Sequence, residues 1–142
     1  MPAHDDLERF VQAQAPVYRQ VLAELKAGRK RTHWMWFVFP QLAGLGHSAM
    51  AQRYAIASLQ EARAYLAHPV LGARLRECSA LVLAAPHSDA HAIFGSPDDL
   101  KLHSCMTLFQ RATPDEPVFG QCLAKFFAGR SDDLTVARLE SP

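Results

Sequence analysis

Ser58-Leu-Gln-Glu-Ala-Arg-Ala-Tyr-Leu-Ala-His-Pro-Val-Leu-Gly-Ala-Arg-Leu75 holds a helix start, a helix stop and a second start in one run. Ser58 and Glu61 have the spacing of a capping box, in which the hydroxyl and the carboxylate each satisfy an orphan backbone N–H. That predicts a helix running to about Ala67. A residue before proline is pushed out of the helical region, so His68-Pro69 breaks it, and His68 reads as a turn residue hydrogen-bonded to backbone. Pro69 can start the next helix, with Val70, Leu71, Leu75, Cys78 and Val82 inward and Pro86 closing it.

The same punctuation recurs outward from this run. Toward the N-terminus, Leu7, Phe10 and Val11 have helical spacing after Asp5 and Asp6, which can cap and charge a first helix. Pro16 interrupts it and can open a second helix presenting Tyr18, Leu22 and Leu25, with Gly28 as a left-handed stop. Residues 33 to 39, His-Trp-Met-Trp-Phe-Val-Phe, are apolar on every face and show no period, so the segment is buried or it binds something. Pro40, Gly44 and Gly46 mark a loop, and Ser48 to Ile56 has a weaker helical pattern.

Toward the C-terminus, a helical turn around Ala90 to Phe94 ends at Gly95. Ser96-Pro97-Asp98-Asp99 then offers a cap, a first-turn proline and dipole-complementing carboxylates for a helix over about Pro97 to Arg111. Its apolar side carries Leu100, Cys105 or Met106, Leu108 and Phe109, and its polar stripe Lys101, Ser104 and Thr107. Thr113 to Glu116 repeats the capping-box logic for a helix with Phe119, Cys122, Leu123, Phe126 and Phe127 inward, stopped by Gly129, and a tail helix can begin near Asp132. Strand signals are nearly absent, so the expected architecture is all-α: one compact single-domain globule over 1–142 with about six to eight helices.

Composition narrows the function classes. A hydrophobic share of 49% and a charged share of 20% are those of a folding globular chain. Fifteen Lys plus Arg against fourteen Asp plus Glu leave a charge of +1, so any electrostatic recognition is local. No stretch approaches the roughly 20 apolar residues of a spanning helix, and the acidic N-terminus lacks a signal peptide's apolar region, so no membrane partner and a cytoplasmic location are expected. Cys78, Cys105 and Cys122 are odd in number and widely spaced, which argues for reduced, buried thiols over disulfides or zinc.

Lys30-Arg-Thr-His-Trp-Met-Trp-Phe-Val-Phe-Pro-Gln41 resembles the signature of a bacterial family catalogued as domain of unknown function 1810. Ala64 to Leu75, Phe94-Gly-Ser-Pro-Asp-Asp-Leu-Lys-Leu102, Met106-Thr-Leu-Phe109, and Phe126-Phe-Ala-Gly129 with Asp132 resemble its later segments. The resemblance covers nearly the whole chain. It implies a compact, mainly helical fold and carries no established activity. It also implies that a serine often stands where this chain has Cys105, which speaks against Cys105 as an essential nucleophile.

The residues themselves offer several chemistries. His103 is two positions from Cys105 and so on another helix face, leaving the thiol without an activating base. No G-x-S-x-G elbow, P-loop or G-x-G-x-x-G occurs, and Gly44-Leu-Gly46 is only a turn signal. His87 and His91, with Asp89 between, could place two imidazoles on one face, but no third ligand stands at a metal-site spacing, so no metal and no cofactor are expected. Arg29-Lys30-Arg31 beside two tryptophans has the group types for single strands. Cations at a helix C-terminus stabilise its dipole without any ligand, and with a near-neutral chain no nucleic-acid partner is expected.

The aromatic segment carries the functional expectation. Trp34 and Trp36 can pack in the core, where each indole N–H needs an acceptor. Alternatively they line a pocket in which an indole stacks on a planar ligand, His33 and Gln41 supply hydrogen bonds, and Lys101 with Ser104 holds an anionic group. Asp98 is either a dipole-stabilising carboxylate paired with Lys101 or half of an acid–base pair. The leading expectation is a small-molecule-binding domain, with or without enzymatic activity, for a nucleotide-like or ADP-ribose-like anion, through His33, Trp34, Trp36, Gln41, Asp98, Lys101 and Ser104, with no catalytic residue assigned. The alternative is a protein-interaction module or homodimer that exposes Trp34 to Pro40 as an apolar patch. The sequence leaves the oligomeric state open.

Overall fold

The computed structural model describes residues 6–140. Among them the chain forms ten helices: α1 (Glu8–Gln14), α2 (Tyr18–Lys26), α3 (Met35–Val38), α4 (Ala49–Arg53), α5 (Leu59–Ala67), α6 (Leu71–Ala84), α7 (Ala90–Phe94), α8 (Asp98–Ala112), α9 (Pro117–Phe127) and α10 (Asp133–Glu140). The all-α architecture stands, and ten helices replace the expected six to eight. The excess comes from short helices, above all α3, a single turn inside the segment that is apolar on every face and hides its period.

The caps explain where the long helices begin and end. Ser58 Oγ accepts from the Glu61 N–H at 3.1 Å, and the Glu61 carboxylate accepts from Ala57 N–H at 2.8 Å. His68 Nδ1 accepts from the Val70 and Leu71 N–H groups, so the residue that stops α5 also caps α6. Gly28, at φ 75°, ends α2 in the left-handed conformation that glycine adopts without a Cβ penalty.

Other boundary devices differ from the sequence reading. Asp5 lies outside the described residues, and Asp6 makes no side-chain cap; its carbonyl accepts from Arg9 instead. Neither Ser96 nor the Thr113–Glu116 box caps a helix: Thr113 Oγ1 donates to the Phe109 carbonyl, and Glu116 pairs with Arg76 on α6. A local carbonyl takes the Thr113 hydroxyl, and a tertiary partner takes Glu116.

α8 is the central helix, packed by α5, α7, α9 and α10, while α6 bridges α2, α5 and α9. Cys105, Met106, Leu108 and Phe109 lie on its buried side. Leu100, expected inward, is 61% exposed. α10 instead covers the neighbouring Ser104 and Thr107, which become buried polar groups. Gly72 lets α6 meet the end of α5: a Cβ there would stand 2.1 Å from the Leu66 carbonyl oxygen, a backbone atom that cannot step aside.

One buried carboxylate sets the course of the chain between α2 and α3. Glu24 sits at i+3 from Val21 on the inward face of α2 and is 3% exposed. It accepts from Arg31 N–H (2.6 Å), Thr32 N–H (3.0 Å), Thr32 Oγ1 (2.6 Å), Trp34 Nε1 (2.9 Å) and Gln20 Nε2 (2.9 Å). Burial alone would raise this carboxyl; the hydrogen bonds from Thr32, Arg31 and Gln20 outweigh it and hold the group at about 2, against 4.5 ordinarily.

Two stability outcomes follow from these contacts. A group held below its unfolded value stabilises the fold above that value and stops doing so as pH falls through the folded one. Glu24 should therefore contribute about 3 kcal/mol near neutral pH, lost between pH 4.5 and about 2. Denaturant titration of Glu24→Gln against the parent should show a large deficit at pH 7 that narrows toward pH 2; a constant deficit would refute the linkage. Gly72→Ala should cost on the order of 2 kcal/mol, because the α5–α6 junction must open; an unchanged midpoint would show that the junction is pliable.

Candidate functional site

Trp34 heads α3 and points inward. It is 1% exposed, its N–H is spent on Glu24, and its ring lies 6.2 Å from Phe39, which in turn meets Phe94 edge-on at 5.9 Å. The core-packing role therefore holds for Trp34, which has no face left for a ligand. Met35, Phe37, Val38, Phe39 and Pro40 are buried as well, so the 34–40 segment is not the exposed apolar patch that an interaction module would need. The cause is geometric. A helical turn this short packs on α1, while Trp34 before it reaches Glu24 of α2 and Phe39 after it reaches Phe94 of α7.

Trp36 is the exception and stays half-buried. Lys101 Nζ lies over its ring at 5.4 Å and 3.3 Å from Asp98 Oδ1, one turn back on α8. The other oxygen of Asp98 takes Lys30 Nζ at 2.9 Å, and Lys30 lies over the Trp34 ring at 5.2 Å. One carboxylate thus sits between two ammonium groups, each resting on an indole, where cation–π attraction adds to the ion pair. The Lys30 side chain is 8% exposed and that of Lys101 22% exposed, so Lys101 is the more available charge.

Three of the residues singled out from the sequence are thereby brought together: Trp36, Asp98 and Lys101. His33 is exposed on the connection just before Trp34. Gln41 serves the loop instead: its carbonyl accepts from Ile56 N–H at 2.9 Å, beside the bridge between Leu42 and Ile56, and its side chain faces Gly46. Ser104 also belongs elsewhere, because its hydroxyl donates to the Leu100 carbonyl and to Asp132 Oδ2 (3.1 Å), the carboxylate that begins α10. Helical spacing from Lys101 suggested a shared stripe, but the docking of α10 removes Ser104 from it.

Lys30 and Glu24 are the participants that the sequence reading missed. A Glu at i+3 from Val21 beside Leu25 was the available signal, since a carboxylate on an inward face must have partners. Lys30 gave no signal of its own within the basic run. Asp89, read with His87 and His91 as a metal candidate, caps α7 by accepting from His91 N–H at 2.9 Å. Among the described residues no group of three or more His, Cys, Asp or Glu side chains is placed to hold a metal ion.

A family model described as protein of unknown function, DUF1810, matches residues 4–139. The crystal structure of a conserved hypothetical protein from Mycobacterium tuberculosis is similar at 59% identity and a TM-score of 0.94, covering 96% of this chain and 98% of that one. No curated protein matches. Within the described residues no helix is long and apolar enough to cross a membrane.

All three cysteines are free and buried. Burial pushes Cys78 and Cys122 up to about 12 and Cys105 well above its ordinary value of 9.0, so none offers a thiolate. An aromatic disulfide reagent should leave the native protein unmodified over minutes and titrate three thiols once it is unfolded. Rapid reaction of one thiol in the native state would mark it as accessible and reopen a nucleophilic role.

Proposed function

This chain belongs to the DUF1810 family, and from that premise we propose that it binds a small anionic, ring-bearing ligand, of nucleotide-like or ADP-ribose-like chemistry, where Trp36, Asp98, Lys101 and Lys30 meet. The observation that carries the proposal is the shared carboxylate. Asp98 holds two ammonium groups in place at 2.9 and 3.3 Å, so the cations are preorganised before any ligand arrives. Preorganised cations beside an aromatic face are the group types that a phosphorylated ring compound requires.

Lys101 over Trp36 puts a cation and an aromatic ring side by side, so an anionic ring compound can meet both. His33, exposed on the preceding connection, is the nearest predicted hydrogen-bonding side chain along the chain. A cytoplasmic location belongs to the same proposal, since three free thiols suit a reducing compartment.

Both tryptophans of the chain lie in this segment, so their emission reports on it. Titration with nucleoside phosphates and ADP-ribose should change the parent's emission saturably. Trp36→Phe should abolish the change, because the remaining Trp34 is enclosed. Lys101→Ala should weaken binding by about 1.5 to 3 kcal/mol, the loss of a charge-assisted hydrogen bond. Emission unchanged across the panel, or a response retained in Trp36→Phe, would defeat the proposal.

A further inference from the structure

Lys30 belongs to two surfaces at once. Its ammonium lies between Asp98 and the Trp34 ring. The residue also lines a separate depression of about 430 Å³ walled by Arg29, His91 and the chain from Ala92 to Gly95. Arg31 continues the basic rim.

The backbone that presents this rim is fixed. Arg29 N–H donates to the Glu24 carbonyl at 3.0 Å, Lys30 N–H to the Ile93 carbonyl at 2.7 Å, and Arg31 N–H to the Glu24 carboxylate at 2.6 Å. Among the described residues the side chains of Arg29 and Arg31 nonetheless make no hydrogen bond or ion pair. Both residues are exposed, and among the described residues neither guanidinium has a carboxylate partner, although Arg76 pairs with Glu116 and Arg9 approaches Glu61. Fixed backbone with free guanidinium forks is an arrangement that bidentate oxyanion binding favours.

The floor raises no obstacle to an anion. The Ile93 carbonyl that would repel one is consumed by Lys30 N–H, and beside Gly95 there is open space, a Cβ there meeting nothing within 4 Å. His91 Nδ1 lies 3.6 Å from Asp99, and its Nε2 has no partner among the described residues.

We propose that this depression is a phosphate site and that the ligand is polyphosphorylated, its phosphates held by Arg29, Arg31 and His91 while Lys30 joins them to the Trp36–Lys101 surface. This deepens the nucleotide-like reading and rests on it for the ring, though the phosphate site stands on its own contacts. A polynucleotide fits less well, because the chain carries a net charge of only +1 and its basic run spans only Arg29 to Arg31, too short to track a strand.

Calorimetric titration with inorganic tripolyphosphate and with orthophosphate tests this without the ring. Tripolyphosphate should bind the parent at least roughly tenfold more tightly than orthophosphate. Arg29→Ala/Arg31→Ala should weaken it by roughly tenfold or more, with an unchanged circular dichroism spectrum because both side chains are exposed. Arg19→Ala/Arg111→Ala removes the same charge from other exposed positions and should leave binding within about twofold. Equal affinity in the parent and Arg29→Ala/Arg31→Ala, or an equal loss in Arg19→Ala/Arg111→Ala, would overturn the phosphate site. So would a single-stranded oligonucleotide that binds more tightly than tripolyphosphate, which would assign the surface to polynucleotides. If tripolyphosphate binds through the arginines while nucleotides leave Trp36 silent, the ring reading fails and the phosphate site stands. If nucleotides quench Trp36 but mono- and triphosphates bind alike in parent and double variant, the reverse holds.

Discussion

The Glu24 carboxylate is the constraint from which the rest of the candidate site hangs. It takes the two N–H groups and the hydroxyl that the chain presents on leaving α2, and then the indole N–H of Trp34. A buried charge is tolerated only when its lone pairs are filled, and here the chain itself fills them by curling around the side chain. The curl places Lys30 against Ile93 of α7 and turns Trp34 into the core. It leaves Trp36, two residues on, to face the surface beside α8.

A second polar network holds α1 and α3 in the same way. Gln14, buried on α1, donates to the Phe37 carbonyl at 2.6 Å and to the Tyr65 hydroxyl at 3.0 Å, so α3, too short to satisfy its own backbone, is anchored from both sides. α10 is tied down by Asp132, which collects the Ser104 and Thr135 hydroxyls and the Thr135 N–H. Aromatic contacts fill the space between these ties, with Phe10, Tyr65 and Phe109 meeting at centroid distances of 5.2 and 5.4 Å. The apolar core supplies the driving force, and the buried polar groups select one arrangement of the short helices.

How much was legible residue by residue follows from the range of each interaction. The Ser58–Glu61 box and the Gly28 stop operate within a few residues, and both stand in the structure. The Thr113–Glu116 box carried an equally good local signal and failed, because Thr113 found its own preceding helix and Glu116 found Arg76, forty residues away. Leu100 and Ser104 exchanged expected environments for the same reason: the docking of α10 over α8 fixed which side of that helix was covered.

The sequence by itself determined the all-α class, the boundaries of the long helices and the burial of the cysteines, because caps, prolines and composition act locally or in aggregate. It also singled out Trp36, Asp98 and Lys101, which the structure brings together. Only the tertiary structure decided between the two tryptophans, sending Trp34 to the core and Trp36 to the surface, and only it recruited Lys30 to Asp98 across sixty-eight residues of chain. The physical reason is that an all-apolar run has no preferred face of its own. Its orientation is chosen by a hydrogen-bond acceptor on another helix, and α2 supplies that acceptor in Glu24.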